Sequence, residues 1–263
     1  MQSTTSFVGK NGKAWTDQFY EASMGPFIKK SLYRQWKNKD GYYDCRGWMY
    51  KVDQKEIEKI KNEYKLLAEP NKFISTNDIL VHWMFSFNKK ADWVIVAVDM
   101  RPRLESLKKS KSFLAGNYLA CPALRPEDIS SPENIRKAMN DIFAKKYNNG
   151  YLDVPTGKQL MKYNSGTSTN WCKFYKEVEL PGFKLEYCVP HFSTKFEKVS
   201  GVIPTMEETI IIFKMNSVDI GVNVLSASGR ITSEMLDDKT KSPVLGECIM
   251  PELNYHRQPG AFQ

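Results

Sequence analysis

Histidine is the residue type best suited to move protons in this chain, and it occurs three times, as His82, His191 and His256. An imidazole titrates near neutral pH, so it can take up a proton in one step of a reaction and return it in the next. Five cysteines are scattered along the chain, and no two of them form a Cys-x-x-Cys pair. We therefore expect free thiols, and neither a disulfide framework nor a metal site.

Two arginines close together are the next candidates for chemistry. Arg101 and Arg103 follow an apolar run, and guanidinium groups match the oxygens of a phosphate or a carboxylate. They could hold a ligand, or they could pair with Asp99 or Glu105 and fix the end of a strand, which is the interpretation we favour. Asn117 is a turn residue first and a candidate ligand contact second.

The elements that must position these residues begin with strand and helix signals in the first half of the chain. An extended segment is expected over 42–52, and Asp53, with a glutamate three residues later, has the spacing of a capping box before an amphipathic helix. Ser75 or Thr76 caps a second helix, which is apolar overall and therefore expected to be buried. The continuous apolar run 93–98 predicts a strand covered on both faces.

The second half of the chain changes from a helix pattern to strand patterns. Ser131, followed by proline and glutamate, predicts a helix start. A polar loop is expected over 164–169, residues 216–219 are predicted to form a hairpin turn, and the segment from Gly246 is expected to be an extended arm. The predicted strands are 171–178, 185–189, 209–214 and 221–225. Helices mixed with strands indicate an α/β or α+β fold.

Composition and charge narrow the possible partners. The formal net charge is +8, which suits an acidic protein surface, nucleic acid or a phosphate-bearing cofactor. The lysines are spread along the chain without a dense basic block, so nucleic acid is not the expected partner. The apolar stretches are far shorter than the roughly 20 residues that cross a bilayer, and we find no secretory signal. We expect a cytoplasmic protein, with organelle import of a processed subunit left open.

Several segments resemble, in the right order, landmarks of the second half of BAHD-type acyl-CoA-dependent acyltransferases. They are ISTNDILVHW at 74–83, VDMRPR at 98–103, AGNY at 115–118 and TNWCKFY at 169–175. Where that family has D-F-G-W-G, this chain has ELPGF at 179–183, so this motif is degraded. The resemblance implies a chloramphenicol acetyltransferase-like fold with a mixed sheet flanked by helices, of which this chain holds roughly one half.

The resemblance also implies a His-x-x-x-Asp motif that supplies the general base, and this chain has no copy of it. The residues four places after its histidines are Ser86, Lys195 and Gly260. No catalytic residue can therefore be identified, and His82 falls inside the buried helix, where a packing role is expected. The family implies that Thr169 hydrogen-bonds the oxyanion and that Trp171 walls the acyl-transfer tunnel. Alternatively, Thr169 belongs to a capped loop and Trp171 is a core tryptophan. Because the base is missing, we slightly prefer this interpretation.

Two functions remain open. The chain is expected to be a non-catalytic acyltransferase-like subunit that docks in a larger assembly. Alternatively, it is the C-terminal half of an acyl-CoA-dependent O- or N-acyltransferase, completed by a separate chain that carries the catalytic histidine. In both cases the isolated chain is expected to be inactive, with no covalently bound cofactor. A coenzyme A thioester is the possible substrate, with Arg101, Arg103 and Asn117 as candidate contacts.

The resemblance also divides the chain and predicts a partner. We expect an N-terminal arm over 1–41, an acyltransferase-like domain over 42–225 and an extended C-terminal tail over 226–263. A sheet without its facing domain would expose an apolar surface, and a stable protein must cover such a surface. An obligate partner chain or a homo-oligomer is therefore expected.

Overall fold

A computed structural model gives the structure of part of this chain. The described residues are 46–69, 72–87, 91–99, 119–120, 122–144, 164–177, 181–182, 185–190, 208–226 and 229–254. The strands among them are β1 (Arg46–Val52), β2 (Ala91–Asp99), β3 (Leu119–Ala120), β4 (Ala123–Leu124), β5 (Asn164–Asn170), β6 (Glu208–Lys214), β7 (Ile220–Ser226) and β8 (Leu245–Asn254). The helices are α1 (Gln54–Leu67), α2 (Thr76–Ser86), α3 (Pro132–Ala144) and α4 (Ser233–Asp237), with a 3-10 turn at Cys172–Phe174. No helix in these stretches is long and apolar enough to cross a membrane.

The described strands form one mixed sheet in the order β3-β2-β5-β6-β7-β1-β8, and β4 also pairs with β2. The pairs β2–β5 and β5–β6 are parallel. The pairs β6–β7, β7–β1 and β1–β8 are antiparallel. Parallel neighbours need crossover connections, and antiparallel neighbours can be joined by tight turns. The predicted α/β class, with a mixed sheet and flanking helices, is confirmed.

Strand β5 lies inside the sheet, so the prediction of a polar loop over 164–169 was wrong. Its sequence, NSGTSTN, lacks the apolar alternation of a half-buried strand. The backbone groups are nevertheless satisfied by parallel ladders to β2 on one side and β6 on the other. The strand also needs a small residue, because Gly166 lies directly under the ring of Phe85 from α2. Tertiary pairing therefore overrides the local composition here.

The side of the sheet on which α2 packs, called here the helix face, carries the largest group of buried side chains. Alternate residues of the strands point to it, as the two-residue period of a strand requires. They include Trp48, Val94, Ile210, Val222 and Val224, which pack in one cluster with Leu80, Met84 and Phe85 of α2 and Ile135 of α3. The residues between them point to the other side, called here the opposite face. Met49, Ile95, Ile211, Phe213 and Leu225 are buried there.

The two N-terminal helices begin where their capping signals predict. The side chain of Asp53 accepts hydrogen bonds from the first-turn backbone N–H groups of α1. Ser75, and not Thr76, caps α2, and the carboxylate of Asp78 accepts from the backbone N–H of Ser75 in return. This reciprocal capping box satisfies donors that a helix N-terminus otherwise leaves without partners. The start of α3 follows the same logic, since Ser131 Oγ accepts from the backbone N–H of Asn134.

The hairpin between β6 and β7 turns at residues 216–219, which confirms the prediction. Asn216 Oδ1 accepts hydrogen bonds from the backbone N–H groups of Val218 and Asp219, at 2.9 and 2.7 Å. Lys51 Nζ of β1 lies 2.8 Å from Asp219 Oδ2 and forms a salt bridge with it. The hydrogen bond from Lys51 lowers the pKa of Asp219 below its usual value, and the hydrogen bond from the Asn216 side chain adds a smaller effect in the same direction.

The predicted strands at 171–178 and 185–189 were wrong over their described residues. The ladder between β5 and β6 ends where the backbone N–H of Trp171 donates to the carbonyl of Ile212. Asn170 Oδ1 then accepts from the backbone N–H of Cys172, and Phe174 closes a 3-10 turn back to Trp171. The chain leaves the sheet at this point because these local bonds replace a strand ladder. Residues 185–190 form no strand. The backbone N–H of Cys188 donates a hydrogen bond to the carbonyl of Met215, directly after β6.

Over its described residues, the segment 226–263 is not the extended tail that the sequence predicted. It contributes α4 and the strand β8, which pairs with β1 along the sheet. Leu236, Val244 and Leu245 are almost fully buried. The pKa of Tyr50 lies well above its usual value. Burial is the largest cause, and the hydrogen bond that the Tyr50 hydroxyl donates to Asp237 of α4 is the next. Three register shifts interrupt the pairing of β8, which explains why its sequence shows no clean alternation.

Candidate functional site

The carboxyl ends of the parallel strands β2, β5 and β6 lie together at one edge of the sheet, beside the N-terminus of α2. In open α/β sheets, ligands bind outside the carboxyl ends of the strands. Strand β5 ends here with Thr169 and Asn170, and Trp171 follows directly. The structure therefore places the predicted pair of Thr169 and Trp171 where the topology favours a site.

Thr169 and Trp171 are in direct contact. The indole Nε1–H of Trp171 donates a hydrogen bond of 3.0 Å to Thr169 Oγ1, and both residues are half-buried. An indole nitrogen can only donate, so the threonine oxygen accepts with one lone pair and its own hydrogen must point elsewhere. The indole thus orients the hydroxyl as a donor, which is the arrangement that can stabilise a developing oxyanion.

The register of β5 decides which side of the sheet carries this pair. Thr169 pairs in register with Ala97 on β2 and with Ile211 on β6. Residues that pair in register point to the same side of the sheet, and Ile211 points to the opposite face. Helix α2 packs on the helix face, as the contact between Gly166 and Phe85 shows. The hydroxyl of Thr169 therefore lies across the sheet from α2.

His82 of α2 is the one histidine that falls within the described residues. Its Nδ1 lies 2.9 Å from the carbonyl oxygen of Ile129, and a carbonyl can only accept, so Nδ1 carries the hydrogen. The ring thus joins α2 to the segment that leads into α3, on the helix side of the sheet. His82 does not lie beside Thr169, whereas His191 and His256 lie outside the described residues.

Two asparagines that the sequence interpretation did not single out connect the site to α2. Asn170 Nδ2 donates a hydrogen bond of 3.2 Å to Asn77 Oδ1, in the first turn of α2. These residues are 93 positions apart, so no local spacing links them. Their only sequence signal is that each stands inside a family-like motif, ISTND for Asn77 and TNW for Asn170.

Arg136 is a third contributor that sequence reasoning missed, and it fixes the N-terminus of α2. Its Nε and Nη2 lie 2.9 and 2.6 Å from Asp78 Oδ2, and Asp78 is only 2% exposed. The guanidinium also lies 4.8 Å from the ring centre of Phe73. Asp78 thus accepts hydrogen bonds from both Ser75 and Arg136, so its buried charge at the first turn of α2 is balanced within the protein.

The thiol next to the site is not set up as a nucleophile. Burial raises the pKa of Cys172, and the nearby ammonium of Lys214 only partly opposes this effect. A thiol needs its deprotonated form to attack, and the raised pKa of half-buried Cys172 disfavours that form. The candidate ligand contacts Arg101, Arg103 and Asn117 lie outside the described residues, as does the expected arm over 1–41.

Comparison with known proteins gives distant structural likenesses. The chain is similar to F. sporotrichioides TRI101 complexed with coenzyme A and T-2, with 14% identity and a TM-score of 0.49 over 79% of this chain and 52% of that one. It is also similar to F. graminearum TRI101 complexed with ethyl coenzyme A, and to the same protein complexed with coenzyme A and deoxynivalenol. Both have 12% identity and a TM-score of 0.45, over 77% of this chain and 49% of theirs. No family model and no curated protein sequence matches the chain. The chain spans about half the length of these three structures.

Proposed function

We propose that this chain is a non-catalytic acyltransferase-like subunit that docks in a larger protein assembly. The observation that carries the proposal is the separation of His82 from Thr169. The imidazole donates to the Ile129 carbonyl on the helix side, whereas the hydroxyl lies on the opposite face. A general base must lie within hydrogen-bonding reach of the proton that it removes. His82 does not meet this condition, and the sequence contains no His-x-x-x-Asp motif.

The acyltransferase-like part of the proposal rests on motif residues that form contacts with one another. The Ser-Thr-x-Asp segment makes a complete capping box at the start of α2. The Thr-x-Trp segment forms the hydroxyl–indole pair at the end of β5. Asn77 from the first motif bonds Asn170 from the second. Segments that resemble one family in sequence are therefore joined at one edge of the sheet.

Docking is supported by exposed apolar side chains on and after α1. Leu66 and Leu67, at the end of α1, are 85% and 89% exposed, and Phe73 before α2 is 61% exposed. Single exposed apolar residues are ordinary, and three large ones within eight positions support the proposal that a partner covers this part of the chain. We propose an obligate partner chain or a second copy as that partner.

A second candidate function is favoured by the orientation of the Thr169 hydroxyl. In this case the chain is the C-terminal half of an enzyme that moves an acyl group from a coenzyme A thioester to a hydroxyl or an amine. A histidine of a separate chain would take the proton from the acceptor, whose oxygen or nitrogen then attacks the thioester carbonyl. Thr169 would donate to the oxyanion, and collapse of the intermediate would expel the coenzyme A thiolate, which recovers the proton.

One experiment separates these functions. The complete chain is isolated from its source with its bound partners, its mass is measured by native mass spectrometry, and release of coenzyme A from acyl thioesters is followed. A chain that is monomeric in extracts would rule out both functions. The first function predicts an assembly without turnover.

The second function predicts turnover that falls by about 10² to 10³ in Thr169→Val. Thr167→Val is the matched control, because Thr167 lies two residues earlier on the same face. Its Oγ1 has no hydrogen-bond partner among the described residues. Turnover that both variants lower equally would contradict the role of Thr169.

A further inference from the structure

We infer that Asn77 and Asn170 form an amide latch, named here for these two residues, which positions the Thr169–Trp171 pair. The inference rests on the second proposed function, in which the Thr169 hydroxyl stabilises the oxyanion. Asn170 stands between the two residues of the pair in sequence, and its side chain reaches Asn77 on the helix side. Asn77 and Asn170 are thus positioning residues that act through the end of β5.

The neighbouring backbone fixes the direction of the hydrogen bond in the latch. The backbone N–H of Cys172 lies 3.0 Å from one terminal atom of the Asn170 side chain. A backbone N–H can only donate, so this atom is the oxygen and the other is the nitrogen. The Asn170 nitrogen, at 3.2 Å, must therefore meet an acceptor on Asn77. Position 77 thus requires an oxygen, which aspartate could also supply and alanine could not.

The Asn170 side chain links the end of β5 to two other parts of the chain. Through its nitrogen Asn170 is tied to the first turn of α2, and through its oxygen it is tied to the chain that follows Trp171. Helix α2 is itself fixed, because Arg136 pairs with Asp78 and Phe85 lies on Gly166. The end of β5 therefore cannot rotate without breaking a bond to a fixed helix. A fixed strand end keeps the Trp171 indole on Thr169.

The test measures the Trp171 indole hydrogen in the complete chain by two-dimensional ¹⁵N–¹H NMR. The chain has six tryptophans, and Trp171→Phe identifies the signal of Trp171 by its loss. The exchange rate of this hydrogen with water reports how often its bond to Thr169 opens. Thr169→Val removes the acceptor and sets the upper limit of that rate.

Asn77→Ala should raise the exchange rate by about 2- to 10-fold, the factor expected from the net worth of one hydrogen bond. Asn77→Asp should stay within about twofold of the unchanged chain, because it keeps the acceptor. Asn134→Ala is the matched control, since Asn134 is also an asparagine in the first turn of a helix and its Nδ2 donates to Ser130. It should leave the Trp171 signal unchanged even if it lowers the melting temperature.

Two results would overturn the inference: an Asn77→Ala rate equal to that of the unchanged chain, or equal rates in the alanine and aspartate variants. Asn170→Ala provides an independent arm and should raise the rate at least as much, because it loses both bonds. The readout does not need turnover, so failure of the latch and failure of the proposed function are distinguishable. A normal latch response in an assembly that releases no coenzyme A would refute only the second function.

Discussion

Substitution of Gly166 by alanine tests how closely α2 lies on β5. A Cβ at this position would lie 2.0, 2.6 and 2.9 Å from Cε1, Cζ and Cδ1 of Phe85. An ordinary carbon contact is about 3.5 Å, so the ring or the helix must move by about 1.5 Å. Phe85 is 2% exposed, so its ring lies in the densely packed interior, where a shift of this size requires neighbouring side chains to repack.

The expected loss of stability follows from two opposing effects. Overpacking of a dense core costs about 1 to 3 kcal/mol, and a contact with three ring atoms belongs at the upper end. Replacing glycine by alanine reduces the entropy of the unfolded chain, which contributes about 0.4 to 1 kcal/mol in the other direction. We expect a net loss of about 2 kcal/mol, which lowers the melting temperature by roughly 4 to 8 °C in a chain of this size.

The assay is a double-mutant cycle measured by thermal and urea unfolding. In a Phe85→Leu background the ring is absent, so Gly166→Ala should cost less than about 0.5 kcal/mol or become stabilising. Gly47→Ala is the matched control in β1, because its nearest atom is the flexible end of Leu225 at 3.0 Å. The reasoning is refuted if Gly166→Ala unfolds at the temperature of the unchanged chain. It is also refuted if the loss is the same in the leucine background.

Four further substitutions probe other buried or charged groups. Ser168→Ala should raise stability by up to about 1 kcal/mol, because this hydroxyl is fully buried and has no hydrogen-bond partner among the described residues. Ser242→Ala, at an equally buried hydroxyl that donates to a carbonyl at 2.8 Å, should cost about 1 kcal/mol; equal urea midpoints for the two would contradict this. Arg136→Ala should cost about 2 to 4 kcal/mol by urea unfolding, since it leaves buried Asp78 without its cation, and a neutral result would show that water replaces the guanidinium. Asp219→Asn should cost about 1 kcal/mol or less at pH 7. Because the folded pKa of Asp219 is lowered, its contribution to stability is complete above the unfolded pKa of about 3.9 and is lost as pH falls through the folded pKa. A difference in stability between Asp219→Asn and the unchanged chain that does not shrink as pH is lowered below about 3.9 would contradict this expectation.

The sequence predicts the three longer helices and the apolar strands of this fold well, because those elements carry their own local signals, whereas the short helix α4 was not predicted. Asp53 and Ser75 are capping residues, and the chain begins a helix directly after each of them. Strands β2, β6 and β7 are rich in β-branched residues, which fit a pleated and largely buried surface. The turn between β6 and β7 was also predictable, since Asn216 bonds its own backbone neighbours.

Strand β8 could not be predicted, because its stability comes from a partner far away in sequence. Its residues pair with β1, about 200 positions earlier, and register shifts break the two-residue period that marks a strand. The same limit applies to the site, where Asn77 meets Asn170 and Arg136 meets Asp78. Such contacts exist only once the parallel pairing of β2, β5 and β6 brings the elements together. A single sequence contains the residues of these pairs but not their proximity.

The composition that concealed β5 from sequence analysis is what its place in the fold requires. Gly166 admits Phe85 of α2, and no residue with a side chain would allow the helix to lie so close. Asn170 needs two different polar atoms, an acceptor for Cys172 and a donor for Asn77, which an apolar strand end could not supply. Thr169 needs a hydroxyl to receive the Trp171 indole. Local sequence rules are expected to fail where function sets the residue type, and in this chain they fail at the strand that ends in the candidate site.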